Sequence, residues 1–224
     1  MSDKLRTFIA IDLASPLRQS LAHLQGQLKK TGADVRWVKP EQIHLTLKFL
    51  GDTPVEKIAD IQTILEETLQ NMPSFPINLQ SLGAFPKIDS PQIIWVGIQT
   101  GDQLIAQLAQ SIDEKLKPLG FPEETKKFSA HITLGRVKSS FIALPSPNKN
   151  VKSPSLINNE DWRFNVRKEK VNNRLALVKA IKAAGPLEGL FQKITEVTFY
   201  KSTLTAQGPV YEILHKVGLD QTHK

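Results

Sequence analysis

One short motif occurs twice in this chain. Residues 44–47 read His-Leu-Thr-Leu and residues 131–134 read His-Ile-Thr-Leu. Each copy belongs to a run in which polar and apolar residues alternate, the pattern typical of a half-buried β-strand. Similar orders of strands and helices are predicted before both copies. The duplication therefore predicts a fold of two related halves, each of which contributes one motif strand.

The alternation of side chains along a strand divides each motif into two faces. His44 and Thr46 share one face of the first strand, and His131 and Thr133 share one face of the second. The opposite face of the first strand is predicted to enter a core through Ile43, Leu45, Leu47 and Phe49. If the two polar faces meet across a groove, two imidazoles and two hydroxyls surround one substrate atom. The residues thus predict an acid–base pair with a binding site for an anion.

The composition limits the chemistry that is available. The 224 residues include no cysteine, which excludes disulfides, thiolate nucleophiles and cysteine-ligated metals. Neither His-Glu-x-x-His nor a paired-carboxylate spacing occurs, so we predict no metal ion and no other cofactor. The N-terminus leads directly into a strand, and no apolar run approaches the roughly 20 residues that cross a bilayer. We expect a monomer in the cytoplasm with no membrane partner.

The charge balance favours a polyanionic partner. The formal net charge is +7 at pH 7, and a basic excess of this kind is common in proteins that bind nucleic acid. Several of the cations lie close to the two motifs in sequence: Lys48, Lys126, Lys127, Arg136 and Lys138.

The predicted elements alternate between strands and helices. A strand, a helix and the first motif strand come first, followed by a helix, two strands, a third helix and the second motif strand. The second helix is predicted to open at Thr53 and Pro54, with Val55 on its buried side. We predict an α+β fold of two pseudo-symmetric lobes, each an antiparallel sheet with helices, whose His-x-Thr strands face a central cleft. Residues 1–224 are expected to form a single domain.

Further segments accompany the two motifs in an order that is typical of a known family. They are residues 6–11 (Arg-Thr-Phe-Ile-Ala-Ile), 36–38 (Arg-Trp-Val), 44–51, 83–86 (Gly-Ala-Phe-Pro), 94–97 (Ile-Trp-Val-Gly), 131–137, 200–204 and 208–211. In these segments the chain resembles the 2H phosphoesterases, specifically the RNA 2′,3′-cyclic phosphodiesterase or 2′-5′ RNA ligase-like family. Two positions differ from the usual family pattern: Ala130 stands where proline is usual, and Gly135 stands where alanine is common.

The resemblance implies hydrolysis of a terminal 2′,3′-cyclic phosphate on RNA to a 2′-phosphate. It implies that His44 is the proton donor to the leaving 3′-oxygen and that His131 is the proton acceptor for the attacking water. Imidazole suits both roles because its pKa near 6.5 allows one ring to be charged and the other neutral. Since the two motifs are nearly equivalent, the reverse assignment stays open.

Three polar residues are expected to bind the phosphate. Thr46 and Thr133 would donate hydrogen bonds to the non-bridging oxygens, where negative charge grows in the transition state. Arg136 would add a bidentate guanidinium contact. Strict alternation places Arg136 opposite His131, so this contact requires the strand to end or bend near Gly135.

Base recognition is expected to use aromatic side chains, because single-stranded RNA ends are often held by stacking. Tyr211 and Trp37 are the predicted aromatic residues of the cleft. Phe49 and Trp95 have the pattern of core residues instead.

A stretch of about residues 144–192 is expected to be an insertion of unknown role. Its start is rich in Pro, Ser, Asn and Lys, and a helix is predicted from Val171 to Ala184. The apolar face of that helix is predicted to contain Leu175, Val178 and Ile181. Capping of the cleft, RNA binding, self-association and a merely solvated segment are the alternatives.

Two other functions stay open at this point. The same fold could act on a small cyclic nucleotide or on 2′-5′-linked RNA, including the joining of ends. Alternatively, the chain is a non-catalytic RNA-binding module, which binds RNA without turnover.

Overall fold

The computed structural model describes residues 3–138 and 160–220, with no side chains described for residues 160–167. Within these ranges nine strands form one antiparallel sheet and four α-helices pack on it. The strands are β1 (Lys4–Asp12), β2 (Val35–Trp37), β3 (His44–Pro54), β4 (Phe75–Lys87), β5 (Ser90–Thr100), β6 (His131–Val137), β7 (Phe191–Ile194), β8 (Glu196–Thr205) and β9 (Gly208–Gly218). Their order in the sheet is β7-β4-β5-β6-β3-β1-β8-β9, with β2 also paired to β6.

The helices are amphipathic and cover the core. They are α1 (Ser15–Lys29), α2 (Ile58–Leu69), α3 (Asp102–Leu116) and α4 (Glu160–Ala183). The leucines of α1 recur every three or four residues and are buried together, as expected for a helix with one apolar stripe. In the described part of the chain, none of these helices combines the length and apolarity needed to cross a membrane.

Two half-sheets meet at one residue pair. The first half-sheet consists of β3, β1, β8 and β9, and the second consists of β6, β5, β4 and β7 with β2. The pairing of β3 with β6 consists of Leu45 opposite Ile132, and both side chains are fully buried. The predicted α+β architecture of two related halves is confirmed, and the two half-sheets form one continuous sheet.

Helices tie the two half-sheets together. The fully buried Gln25 of α1 donates hydrogen bonds of 2.8 Å to the carbonyl oxygens of Val38 and Leu134, which lie near β2 and in β6. Helix α3 packs against α2 and contacts both β3 and β5. The core is therefore shared by both halves. That residues 1–224 form a single domain stays a prediction.

The predicted start of the second helix is wrong. Strand β3 continues to Pro54 because residues 51–54 remain paired with β1, and the Thr53 hydroxyl lies 2.7 Å from the Thr7 hydroxyl in the core. A short 3₁₀ turn follows, and α2 begins only at Ile58. Val55 is consequently exposed rather than buried.

The stretch predicted as an insertion is partly integrated into the fold. Residues 144–159 lie outside the described residues. Helix α4 buries Leu177, Val178 and Ile181, and β7 pairs with β4. Leu175 is exposed, contrary to the prediction, because the docked face of α4 also contains Asn173, which donates to the carbonyl oxygen of Gly32.

Candidate active site

The pairing of β3 with β6 brings the two motifs together. Because Leu45 and Ile132 point into the core, the motif histidines and threonines on either side of them project from the opposite face. The antiparallel sense places His44 on the side of Thr133 and Thr46 on the side of His131. The four groups line one cleft of about 330 Å³, here called the His cleft.

All seven residues predicted for the site line the His cleft. They are His44, His131, Thr46, Thr133, Arg136, Tyr211 and Trp37. Their positions agree with the sequence analysis, whereas their chemical roles stay predictions.

The two histidines are held in the same way. The Nδ1 atom of His44 lies 2.7 Å from the carbonyl oxygen of Gln42, and the Nδ1 atom of His131 lies 2.7 Å from the carbonyl oxygen of Ser129. A carbonyl oxygen only accepts hydrogen bonds, so each Nδ1 must carry a proton. The Nε2 atom of each ring is therefore the one that can accept a proton when neutral or donate one when charged.

Aromatic rings surround both imidazoles. The centroid of Phe8 lies 5.0 Å from that of His44, and Tyr211 meets His44 edge-on at 5.5 Å. On the other side, Phe85 meets His131 edge-on at 5.1 Å. These contacts restrict the orientation of each imidazole and so direct its Nε2 atom.

The surroundings of the two histidines differ in charge. Asp12 is the cross-strand partner of His44 and accepts hydrogen bonds from the hydroxyls of Thr198 at 2.9 Å and Tyr200 at 2.6 Å. At the corresponding place beside His131 the partner is Gly97. An acidic residue is thus paired with the first histidine and a glycine with the second.

Burial governs the protonation of His44. Desolvation lowers the pKa of His44 below 6.5, and this outweighs the hydrogen bond to Gln42 and the charge of Asp12, which both raise that pKa. Burial also raises the pKa of Tyr200, as does its hydrogen bond to Asp12. In the free protein His44 is therefore mainly neutral at neutral pH.

A β-bulge follows the threonine of each motif. In β3 the partners of Thr46 and Lys48 are the adjacent residues Ala10 and Ile9, so Leu47 is the extra residue. In β6 the partners of Thr133 and Gly135 are Trp95 and Ile94, so Leu134 is the extra residue. Each bulge reverses the alternation of the side chains that follow it.

The prediction that Phe49 is a core residue is wrong, because the first bulge turns its side chain outward. Its side chain is 46% exposed and lines the His cleft, and the guanidinium of Arg6 lies 4.7 Å from its ring centroid. Lys48 takes the inward position and forms an ion pair with Asp113. Phe49 is therefore a cleft residue, because the bulge shifts the alternation by one residue.

The second bulge supplies the bend that Arg136 requires. Gly135 turns inward and is packed tightly, since a Cβ atom there would lie 2.7 Å from Val35 Cγ1 and 2.9 Å from Trp37 Cε3. Arg136 then points to the same side as His131 and lines the His cleft.

Several other residues that line the cleft have no predicted role, among them Phe8, Arg36 and Gln42. Gln42 donates a hydrogen bond to the carbonyl oxygen of Pro209, which attaches the β8–β9 hairpin to the segment before β3. Phe8 and Arg36 belong to segments that carried the family resemblance. Their place in these segments is the one sequence signal that points to the site, although it does not indicate which residues of a segment face the cleft.

Comparison with known proteins agrees with the predicted fold and family resemblance. The LigT-like phosphoesterase family matches residues 11–95 and 96–154. An RNA 2′,3′-cyclic phosphodiesterase of Thermotoga maritima is 31% identical over 212 residues, which are 95% of this chain and 94% of that protein. One of Methanocaldococcus jannaschii is 31% identical over 210 residues, 94% of this chain and 98% of that protein.

A solved structure shares the fold. The crystal structure of a Thermus thermophilus protein superimposes with a TM-score of 0.70 at 23% identity and covers 97% of this chain and 100% of that chain. The resemblance to the 2H phosphoesterases is confirmed by the family match and the relatives together. The chain belongs to the LigT-like phosphoesterase family.

Proposed function

We propose that this protein is an RNA 2′,3′-cyclic phosphodiesterase that opens the cyclic phosphate to a 2′-phosphate. The observation that carries the proposal is the pair of histidines whose Nδ1 atoms are both held by backbone carbonyls. Such a pair offers two Nε2 atoms to one phosphate, one to give a proton and one to take it. The relatives named RNA 2′,3′-cyclic phosphodiesterase support the choice of substrate.

The reaction uses one water and one phosphate ester bond. Neutral His131 takes a proton from the water as its oxygen bonds to phosphorus. Protonated His44 gives a proton to the 3′-oxygen as the bond between that oxygen and phosphorus breaks. Two proton transfers leave a 2′-phosphate and a free 3′-hydroxyl.

The other polar groups act on the phosphate itself. Thr46 and Thr133 donate hydrogen bonds to its two non-bridging oxygens, whose negative charge increases in the transition state. Arg136 adds a guanidinium on the side of Thr133. Tyr211 and Trp37 are proposed to contact the nucleoside.

The assignment of His44 as proton donor requires the substrate to raise its pKa. Burial lowers that pKa in the free protein, but a phosphate anion beside the imidazole favours the charged form. If the bound anion does not reverse the effect of burial, neutral His44 is the proton acceptor and His131 is the donor. We propose that the bound phosphate reverses the effect of burial and that His44 is the donor.

Hydrolysis of a cyclic-phosphate oligoribonucleotide in excess EDTA tests the proposal. His44→Ala and His131→Ala should each lower kcat at least about 100-fold, the effect of losing a general acid or base. His23→Ala, which removes an exposed histidine of α1, is the control. Turnover that needs a divalent ion contradicts the predicted independence of metals, and RNA binding by the wild type without turnover favours the non-catalytic module.

A substrate with sulfur in place of the leaving 3′-oxygen tests the division of roles. A thiolate leaves without a proton, so the variant that lacks the donor should regain most of its activity on this substrate. Recovery by His44→Ala but not by His131→Ala supports the proposed roles, and the opposite result reverses them.

Three accompanying expectations stay predictions. They are the monomeric state, the cytoplasmic location and the absence of a cofactor. Light scattering on the purified protein measures the first, cell fractionation the second, and activity after exhaustive dialysis against a chelator the third.

A further inference from the structure

Two arginines face each other at one end of the His cleft. Strands β2 and β6 pair Arg36 directly with Arg136, and both side chains are exposed and line the cleft. Like charges at directly opposed positions of a sheet are unfavourable. Phosphate groups bound beside the two guanidiniums would offset this repulsion.

A complementary pair lies just outside the cleft, one residue beyond the ends of β2 and β6. Asp34 and Lys138 form an ion pair of 3.0 Å, and the backbone N–H of Lys138 donates to the carbonyl oxygen of Asp34 at 2.9 Å. Among the side chains that the structure describes, those of residues 3–138 and 168–220, no carboxylate forms an ion pair with Arg36 or Arg136. The repulsive pair therefore faces the cleft, and the attractive pair lies outside it.

The arginine pair carries more positive charge than the reacting phosphate carries negative charge. A cyclic phosphodiester carries one negative charge, whereas Arg36 and Arg136 carry two positive charges before either histidine is protonated. On one edge of β6, β3 pairs at Ile132 and β2 pairs at residues 135–137. The arginine pair thus lies beside the reacting centre, on the side of His44 and Thr133.

We propose that Arg36 binds the phosphate on the 5′ side of the terminal nucleotide and that Arg136 binds the cyclic phosphate. This rests on the proposed function and adds a specificity-determining residue to it. A cyclic-phosphate end that also carries a 5′ phosphate, one ribose away, is preferred over a cyclic nucleotide without one. The second phosphate belongs either to a 5′-phosphorylated mononucleotide or to an RNA chain.

Three substrates and three proteins test this inference. The substrates are a cyclic mononucleotide, the same mononucleotide with a 5′-phosphate, and a dinucleotide with a cyclic end. For the wild type, kcat/KM should be about 10- to 100-fold higher on the last two, the effect of one charge-assisted hydrogen bond. Arg36→Gln should bring this ratio close to one. Lys138→Gln, which removes a charge from the same ladder outside the cleft, should keep it.

Other outcomes overturn the inference in distinguishable ways. Equal loss of activity by Arg36→Gln on all three substrates means that Arg36 does not select a second phosphate. Preference for the dinucleotide alone means that the preceding nucleoside, not the phosphate, is recognised. Absence of turnover by the wild type on every substrate contradicts the proposed function itself.

A stability measurement tests the repulsion without any substrate. Arg36→Glu places a carboxylate opposite Arg136 and should raise Tm by about 1–3 °C, because it replaces a like-charge pair with an ion pair. Lys138→Glu, opposite Asp34, should lower Tm by a similar amount. If Arg36→Glu does not raise Tm, the guanidiniums do not repel each other, and the inference that bound phosphates offset their repulsion is overturned.

Discussion

Leu45 of β3 and Ile132 of β6 are paired where the two half-sheets meet, and both are fully buried. The motif histidines and threonines project from the opposite face of the sheet. Since the two strands pair there through this one contact, its packing determines how far apart the two imidazoles lie. The Leu45–Ile132 contact therefore lies in the core on one face of the sheet and positions the candidate active site on the other face.

Truncation of Ile132 should therefore affect both stability and catalysis. Ile132→Ala is expected to lower the free energy of unfolding by about 2–5 kcal/mol, and Ile132→Val by about 0.5–1.5 kcal/mol. Ile61→Ala removes an equally buried side chain from α2 and is the matched control. Urea unfolding and hydrolysis rates at saturating substrate measure the two effects.

At conditions where all variants are folded, Ile132→Ala should lose far more activity than Ile61→Ala. Equal activities of the two alanine variants would contradict a role of the Leu45–Ile132 contact in spacing the histidines.

The low pKa of His44 predicts a pH dependence of stability. Burial lowers this pKa in the folded protein below the 6.5 of an exposed histidine. Between those two values the unfolded chain binds more protons than the folded protein, so the free energy of unfolding falls as the pH is lowered below 6.5. Above that pH the contribution of neutral His44 is fully present.

Urea unfolding at two pH values, one above and one below the titration range, measures this effect. His44→Asn should lose less stability on acidification than the wild type, whereas His23→Asn should behave like the wild type. An identical loss in the wild type and His44→Asn would show that His44 does not titrate abnormally.

Removing one partner of the buried Lys48–Asp113 ion pair should cost much stability, and removing both partners should restore most of it. The two side chains are 3% and 14% exposed; Lys48 also donates to the carbonyl oxygen of Pro122 at 2.9 Å, and Asp113 accepts from the backbone N–H of Glu124 at 2.8 Å. Asp113→Ala leaves a buried charge unpaired and should cost about 3–5 kcal/mol. The double variant Lys48→Met/Asp113→Ala should recover much of this loss, because no buried charge remains.

An exposed pair provides the control for this experiment. Lys117 and Glu123 lie 3.0 Å apart and are 64% and 45% exposed, so Glu123→Ala should cost at most about 1 kcal/mol. The denaturant midpoints of the wild type, Asp113→Ala, the double variant and Glu123→Ala measure these stability changes. A double variant as unstable as Asp113→Ala would mean that the hydrogen bonds to residues 122–124, rather than the unpaired charge, dominate the cost.

Local periodicity predicts which side chains share a face of each motif strand correctly only up to the first β-bulge of that strand. His44, Thr46, His131 and Thr133 lie before the bulges, and their common face follows from alternation alone. Phe49 and Arg136 lie beyond them, where the side-chain direction depends on pairing with β1 and β5. Those pairings are long-range, so the sequence near each motif contains no direct sign of them.

The same limitation explains the errors in the helices. The face of α4 is selected by contacts with distant segments, including the carbonyl oxygen of Gly32, and the apolar spacing alone fitted Leu175 as well as Leu177. Similarly, Thr53 and Pro54 have the composition of a helix start, but pairing with β1 keeps them in a strand. Tertiary pairing overrides a local signal in both cases.

Two glycines predict opposite effects of the same substitution. Gly83 of β4 is the cross-strand partner of Trp95, and a Cβ atom at this position would overlap the indole ring. That ring lies 5.0 Å from Phe85 and 6.3 Å from His131 between centroids. Gly26 lies inside α1, and a Cβ atom there would meet nothing within 4 Å.

Gly83→Ala should therefore lower the free energy of unfolding by about 1–3 kcal/mol, the usual cost of overpacking. It should also lower kcat, because the displaced Trp95 ring no longer supports Phe85 and His131. Gly26→Ala should raise the free energy of unfolding by about 0.5–1 kcal/mol, since alanine loses less backbone entropy in a helix. Its kcat should equal that of the wild type. Thermal unfolding and the EDTA assay measure both variants, and unchanged kcat in a destabilised Gly83→Ala would mean that Trp95 supports the sheet but not the orientation of His131.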